Sequence, residues 1–286
     1  MDLCDIRVIR AVLGRHQFHF SKALGQNFLT ASWVAEKIAE VSGLTDAHGV
    51  LEVGPGFGAL TQQLCLRAGH VLALELDRRL PAVLAETMGS FPNLTVVQGD
   101  ICRADLGLLV REHLSGFTPA AVANLPYSVT TPAITALLEA GIFSSVTVMV
   151  QREVARRITA PAGTADYGSF SVYCQVKMRP VIAFDVPPDC FTPQPKVHSC
   201  VVRMVPHEKP PVPEEEQARF FKVTRAAFAQ RRKTLCNALS AVFPQPKEEL
   251  ASVIRRCGLD PQIRGEMLDI SAFSALAREL YLSERM

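Results

Sequence analysis

Between residues 50 and 151 the chain alternates short apolar runs with amphipathic stretches, and this alternation restricts the fold more than any other feature. VLEV (50–53), VLALEL (71–76), LTVVQGD (94–100), AAVANLPY (120–127) and VTVMVQ (146–151) read as strands. SWVAEKIAEVSGL (32–44), ALTQQLCLRAG (59–69), RRLPAVLAETM (78–88) and TPAITALLEAG (131–141) read as helices. Ser32 and Thr131 are suited to cap their helices, Pro81 and Pro132 fit a first turn, and Gly43 and Gly69 supply stops. Strands this apolar need cover on both faces, so the pattern predicts βαβ units around a parallel sheet.

The remainder reads differently. Residues 167–178 suit a helix, and 181–186 with 196–205 suit a closing hairpin around a Pro-rich loop. PHEKPPVPEEE (206–216) has the composition of a linker. Helical periods follow at 214–230, 232–242, 247–257 and 271–282. The expected domains are therefore 1–208, an α/β domain with an N-terminal extension, and 209–286, a small all-helical domain. A length of 286 residues fits this at about 150 residues per domain.

Composition removes other classes. With 48% apolar and 20% charged residues the chain can bury a core without disulfide staples. No stretch approaches the roughly 18 unbroken apolar residues of a membrane span, and MDLCDIRVIR lacks the order of a secretory signal. Eight cysteines include no pair at metal-ligand spacing, so reduced thiols, a cytoplasmic location and no metal site are expected. The formal net charge of +2 neither requires nor forbids a nucleic-acid partner.

Glu52-Val53-Gly54-Pro55-Gly56-Phe57-Gly58 sits between a strand and a helix. Glycines there let backbone approach a ligand, although a tight turn alone would also need them. The spacing is GxGxG, not GxGxxG, and no P-loop Lys-Ser/Thr follows. Glu75 ends the second strand nineteen positions after Gly56, where a carboxylate can accept both hydroxyls of a ribose. Asp100 ends the third strand and can accept from an exocyclic amine, while Ile101 offers a backbone N–H and an apolar wall. Three strand ends in register point to a nucleoside-type cofactor.

Asn124-Leu125-Pro126-Tyr127 ends the fourth strand. Here the sequence resembles adenine-N6 methyltransferases that use S-adenosylmethionine, and most closely the bacterial KsgA-type small-subunit rRNA adenine dimethyltransferases. The resemblance covers nearly the whole chain through LGQNFL (24–29), EVGPGFGALT (52–61), LELD (74–77), GDI (99–101), NLPY (124–127), QREVARRI (151–158), FTPQPKV (191–197) and AFAQRRKTL (227–235). It implies a Rossmann-like methyltransferase sheet with a helical C-terminal domain. It also implies cofactor contacts at Asn27, Leu29, Gly54, Glu75, Asp100 and Asn124. An acceptor pair, the Asn124 oxygen and the Leu125 carbonyl, would hold an adenine amine. Pro126 would stiffen the turn, and Tyr127 would offer a ring face to an unstacked base. Phe191 has two readings of equal weight: a second ring face or core packing. The chain departs from the family at His198, often Asp, and at Cys236-Asn237, often Asn-Asn.

Between Arg219 and Lys233 lie six basic residues and no acid. Arg225, Arg231, Arg232 and Lys233 are expected phosphate contacts, with Arg152, Arg156 and Arg157 as a second stripe and Lys22 at the cofactor mouth. The expected partner is small-subunit rRNA in a 30S precursor, bound by a monomer. The alternatives are an Erm-type large-subunit methyltransferase and an assembly factor whose catalysis is secondary. A dehydrogenase fails on the glycine spacing.

Overall fold

A computed structural model describes residues 2–18 and 26–283. The chain forms two compact units, residues 1–155 with 181–205 and residues 156–180 with 206–286.

In the first unit, α1 (Ile6–Arg15) and β1 (Phe28–Leu29) precede α2 (Ser32–Val41). Then follow β2 (His48–Val53), α3 (Ala59–Cys65), β3 (His70–Glu75), α4 (Leu80–Met88), β4 (Leu94–Gln98), α5 (Leu106–His113), β5 (Thr118–Asn124), α6 (Thr130–Ala140) and β6 (Val146–Gln151). The α/β alternation predicted between residues 50 and 151 is present. Helices α1 and α5 were not anticipated, because a polar N-terminal stretch and the short run LGLLVREH carry weak signals. Their caps are clear in three dimensions: Asp5 accepts from the Arg7 N–H and Asp105 from the Leu108 N–H. Two cap assignments shift by a residue or two. The caps are Ala31 and Val129, with Ser32 and Thr131 already inside the helices.

The chain continues through α7 (Arg152–Thr159), α8 (Ser169–Lys177), β7 (Arg179–Val186), β8 (Phe191–Thr192) and β9 (Ser199–Val205). Seven strands form one sheet in the order β4-β3-β2-β5-β6-β9-β7. From β4 to β6 neighbours are parallel, and β9 joins β6 antiparallel. β1 and β8 form a separate pair, with Leu29 opposite Phe191. Val50, Val71, Val122, Met149 and Val201 pack with Val34 and Ile38 of α2 and Leu60 and Leu64 of α3. Leu51, Leu72 and Ala121, alternating to the other face, are buried too. The sheet is thus covered twice, as its apolar strands require.

The second unit adds α9 (Glu214–Ala229), α10 (Leu235–Ser240), α11 (Lys247–Arg256) and α12 (Ile270–Ser283). Its core joins Tyr167, Val172 and Val176 to Phe220, Leu239, Val253 and Phe273. The Tyr167 hydroxyl donates to the Leu268 carbonyl at 3.0 Å. This changes the domain division: the expected boundary at 208/209 separates 156–180 from the helices whose core those residues share. Sequence order hid this, because 181–205 returns to the sheet in between. No helix among the described residues is long and apolar enough to cross a membrane.

Phe220 is 1% exposed at the centre of the helical core. Phe220→Ala is expected to cost about 3–5 kcal/mol, seen as a lowered thermal midpoint for the helical unit.

Candidate active site

The strand ladders place Val53 beside Leu74 on one side and Ala123 on the other, and Glu75 beside Gln98. The carboxyl ends of β2, β3, β4 and β5 therefore share one edge. β3 and β5 flank β2 on opposite sides, so the chain order reverses at β2, the place where open α/β sheets bind ligands.

A cavity opens there. Its walls include Asn27, Leu29, Gly54, Glu75, Asp100, Ile101, Asn124, Leu125, Pro126, Tyr127 and Phe191. Every residue expected to hold cofactor or adenine lies on this one cavity. Gly54 has φ +71°, and a Cβ added to it meets nothing within 4 Å, so a side chain would project into the opening. Gly58 has φ +95° at the start of α3, where a Cβ would come within 2.8 Å of Met88.

Glu75 is buried, and its carboxylate is aimed by two backbone donors, Asp77 N–H at 2.8 Å and Gly56 N–H at 3.4 Å. Burial still raises its pKa against those bonds. Glu52, two residues before the first glycine, is 1% exposed, and its pKa is pushed up to about 8 by burial, with the nearby Glu75 charge adding to the rise. Its Oε2 has no hydrogen-bond partner among the described residues. Two acidic side chains thus stand in an apolar wall. Burial disfavours ionisation of both carboxyls, and a cationic ligand beside them would favour it. An open glycine floor, a carboxyl group at the end of the second strand and this response to charge fit a nucleoside carrying a positive charge.

At the opposite wall, the Asn124 amide nitrogen donates to the Asn27 carbonyl at 3.4 Å, turning Oδ1 the other way as an acceptor. Pro126 has φ −57°. The Tyr127 hydroxyl shares a 2.8 Å hydrogen bond with Ser199 Oγ, and burial holds its pKa up, keeping the phenol neutral. Phe191 is 3% exposed and belongs to the core cluster while also lining the cavity. Its two readings are therefore compatible. Asp100 Oδ1 accepts from the Cys102 N–H at 2.9 Å, which fixes the turn after β4.

Phe28 and Phe57 also line the cavity, and an ion pair lies close to Glu75 in sequence. Phe28 and Phe57 stack with ring centroids 3.9 Å apart, with Phe18 edge-on to both. Asp77 accepts from Gln26 at 3.0 Å and from Arg79 at 2.6 and 2.9 Å. The Arg79 pairing holds the Asp77 carboxyl below its usual range. Asp77 in LELD was the available signal, since a buried Asp two residues before an Arg can close a local ion pair.

The basic residues divide into two groups. Arg152 pairs with Asp185 at 3.1 Å. Arg231 donates to the carbonyls of Ala165 and Tyr167 at 3.0 and 3.1 Å and lies 3.7 Å from Glu266. Arg219 and Lys222 lie over the Tyr281 and Phe243 rings. The absence of acids between 219 and 233 therefore does not leave every cation there unpaired. Arg225, Arg232 and Lys233 are exposed with no side-chain partner among the described residues, and Arg156 and Arg157 are exposed. Lys22 lies outside the described residues.

A family model described as ribosomal RNA adenine dimethylase matches residues 17–275. The chain belongs to this family. It is 43% identical to a ribosomal RNA small subunit methyltransferase A of Streptococcus pneumoniae serotype 2, over 98% of each chain. Among solved structures, the 23S rRNA methyltransferase ErmE is 26% identical, with TM-score 0.69 over 89% of this chain and all of that one. A Plasmodium falciparum dimethyladenosine transferase, 23% identical, shares the fold with TM-score 0.76 over 90% of this chain and 98% of that one. Family membership and the shared fold agree with the expected Rossmann-like sheet followed by a helical domain.

The buried Glu52 carboxyl carries a proton-linked contribution to stability. Its folded pKa of about 8 lies above the ordinary 4.5. The protonated form is therefore favoured in the native state. Stability is full below about pH 4.5 and declines as pH rises through 8. Glu52→Gln, which carries no such charge, is expected to gain thermal midpoint over wild type as pH rises from 5 to 9. The gap should reach about 5 °C and be measurable by calorimetry.

Proposed function

We propose that this protein transfers methyl groups from S-adenosylmethionine to the N6 amines of two adjacent adenines near the 3′ end of small-subunit rRNA. The products are dimethyladenines, made during 30S ribosome assembly in the cytoplasm by a monomeric enzyme. The observation that carries this is the 43% identity, over 98% of both chains, with a relative named for methylating the small-subunit RNA. The gathering of the NLPY turn and the glycine loop on one cavity supports it.

The cofactor supplies an electrophilic methyl on a sulfonium sulfur. Gly54 leaves room for it, and Asn27 and Leu29 close the rim. The Glu75 oxygens each keep a lone pair beyond those used by Gly56 and Asp77, enough to accept from ribose hydroxyls. Asp100 and Ile101 suit the adenine edge.

An adenine amine is a poor nucleophile because its lone pair is delocalised into the ring. Asn124 Oδ1 and the Leu125 carbonyl accept from its two hydrogens and turn the lone pair toward the methyl group. Pro126 holds that turn in place. Tyr127 and Phe191 offer ring faces, at about 1–3 kcal/mol of stacking per base, against the cost of unstacking. Bound cofactor would supply the methyl group and keep the sulfur, and the surplus N6 proton would leave to water. Catalysis here is positioning and electrostatics. The second transfer begins from an amine with a single hydrogen, so one acceptor bond is dispensable.

Arg156, Arg157, Arg225, Arg232 and Lys233 are suited to phosphate contacts. Replacing Arg225, Arg232 and Lys233 together by Ala is expected to weaken RNA binding without altering sequence preference. The salt slope of log K should fall by about 2–3, read by titrating RNA at several salt concentrations.

Incubation with labelled cofactor and separated ribosomal subunits tests the substrate. Label is expected in small-subunit RNA, at two neighbouring dimethyladenines located by mass spectrometry. Label confined to the large subunit would favour the Erm-type activity. Asn124→Ala is expected to lower transfer at least about 100-fold while RNA binding persists. Methylation at the wild-type rate would remove the acceptor pair from the mechanism.

A further inference from the structure

We propose that Ser199 is a positioning residue for the methyl-accepting base, acting through Tyr127; this rests on the adenine-methylating function above. Tyr127 begins a single helical turn, Tyr127–Val129, at the cavity wall. That turn is closed on its backbone side, where the Pro126 carbonyl accepts from the Val129 N–H and the Thr130 hydroxyl, each at 3.1 Å. These bonds fix the start of the side chain but not the direction of its ring. The far end of the ring is held by the phenol hydroxyl, 2.8 Å from Ser199 Oγ. A phenyl ring stacks on a base as well as a phenol does, so the hydroxyl is not required for stacking. Its bond to Ser199 fixes where the far end of the ring lies, and so the direction of the ring's long axis at the cavity wall.

Ser199 is placed to serve as an anchor. It is fully buried and is the first residue of β9, opposite Gln151 in the ladder with β6. The preceding residue is gripped by Arg152. The Arg152 backbone N–H donates to the His198 carbonyl at 3.0 Å, and its Nη2 lies 3.3 Å from His198 Nδ1. Arg152 is itself held by Asp185 on β7, at 3.1 Å from its Nε. Contacts therefore run from β7 through Arg152 and His198 to Ser199, and end on the Tyr127 ring. This gives the QREV and KVHS segments a role at the site although neither lines the cavity. Small misalignment of a reacting group is enough to slow transfer.

Single-turnover methyl transfer to small-subunit particles, cofactor affinity and thermal midpoint should be measured for Ser199→Ala, Tyr127→Phe, the double variant and Ser199→Thr. Each single variant is expected to slow transfer about fivefold, the scale of one lost hydrogen bond, with cofactor affinity unchanged. The double variant should be no slower than the slower single one, and Ser199→Thr should restore the rate. The assignment is overturned if Ser199→Ala transfers at the wild-type rate. It is equally overturned if the double variant shows the product of the two single effects, or if cofactor affinity falls in step with rate. A wild-type protein that transfers no methyl to small-subunit RNA would overturn the function itself, and the assignment with it.

Discussion

Val53, Glu75 and Asn124 stand at the carboxyl ends of three parallel strands whose ladders run in register, and the chemistry of the protein depends on that alignment. Parallel pairing sends all strand ends of one polarity to one edge, and a chain that reverses its order at β2 leaves a crevice there. Residues 27, 54, 75, 100, 124 and 191 are far apart in sequence. They meet because parallel ladders bring the strand ends to one edge and the pairing of β1 with β8 brings residues 27 and 191 together, and a one-residue slip would turn every side chain of a strand to the other face.

The edge is also where the protein tolerates unfavourable electrostatics. Glu52 is buried with no hydrogen-bond partner for Oε2 among the described residues, and Glu75 is buried with two backbone donors. A purely structural core would use apolar residues at both places. A ligand carrying positive charge would offset part of that cost by favouring the ionised carboxylates. Across the cavity the charges vanish, and neutral acceptors at Asn124 and Leu125 suit an uncharged amine.

Cations illustrate how sequence and structure weigh evidence differently. QREVARRI and AFAQRRKTL look like uniform basic stripes. In the fold, Arg152 binds Asp185, and Arg231 ties down the carbonyls of Ala165 and Tyr167. Arg79 lies over the Phe18 ring while pairing with Asp77. A guanidinium has enough donors to stitch loops together, and its pairing partners sit 33 to 66 positions away in the cases of Arg152 and Arg231.

Periodicity in the sequence was sufficient for the parallel sheet, the helical tail and the strand-end positions of the glycine loop, Glu75, Asp100 and NLPY. Those features are local: an apolar strand, a glycine needing positive φ or a proline-stiffened turn is legible within about ten residues. Helices α1 and α5 escaped because their apolar stripes are short and their caps carry the signal. The domain division, the placement of Phe191 in both the core and the cavity wall, and the partners of Arg152 and Arg231 were decided only by tertiary structure. So was the hydrogen bond between Tyr127 and Ser199. Each depends on contacts between residues distant along the chain, which burial and strand order determine and which no local pattern encodes.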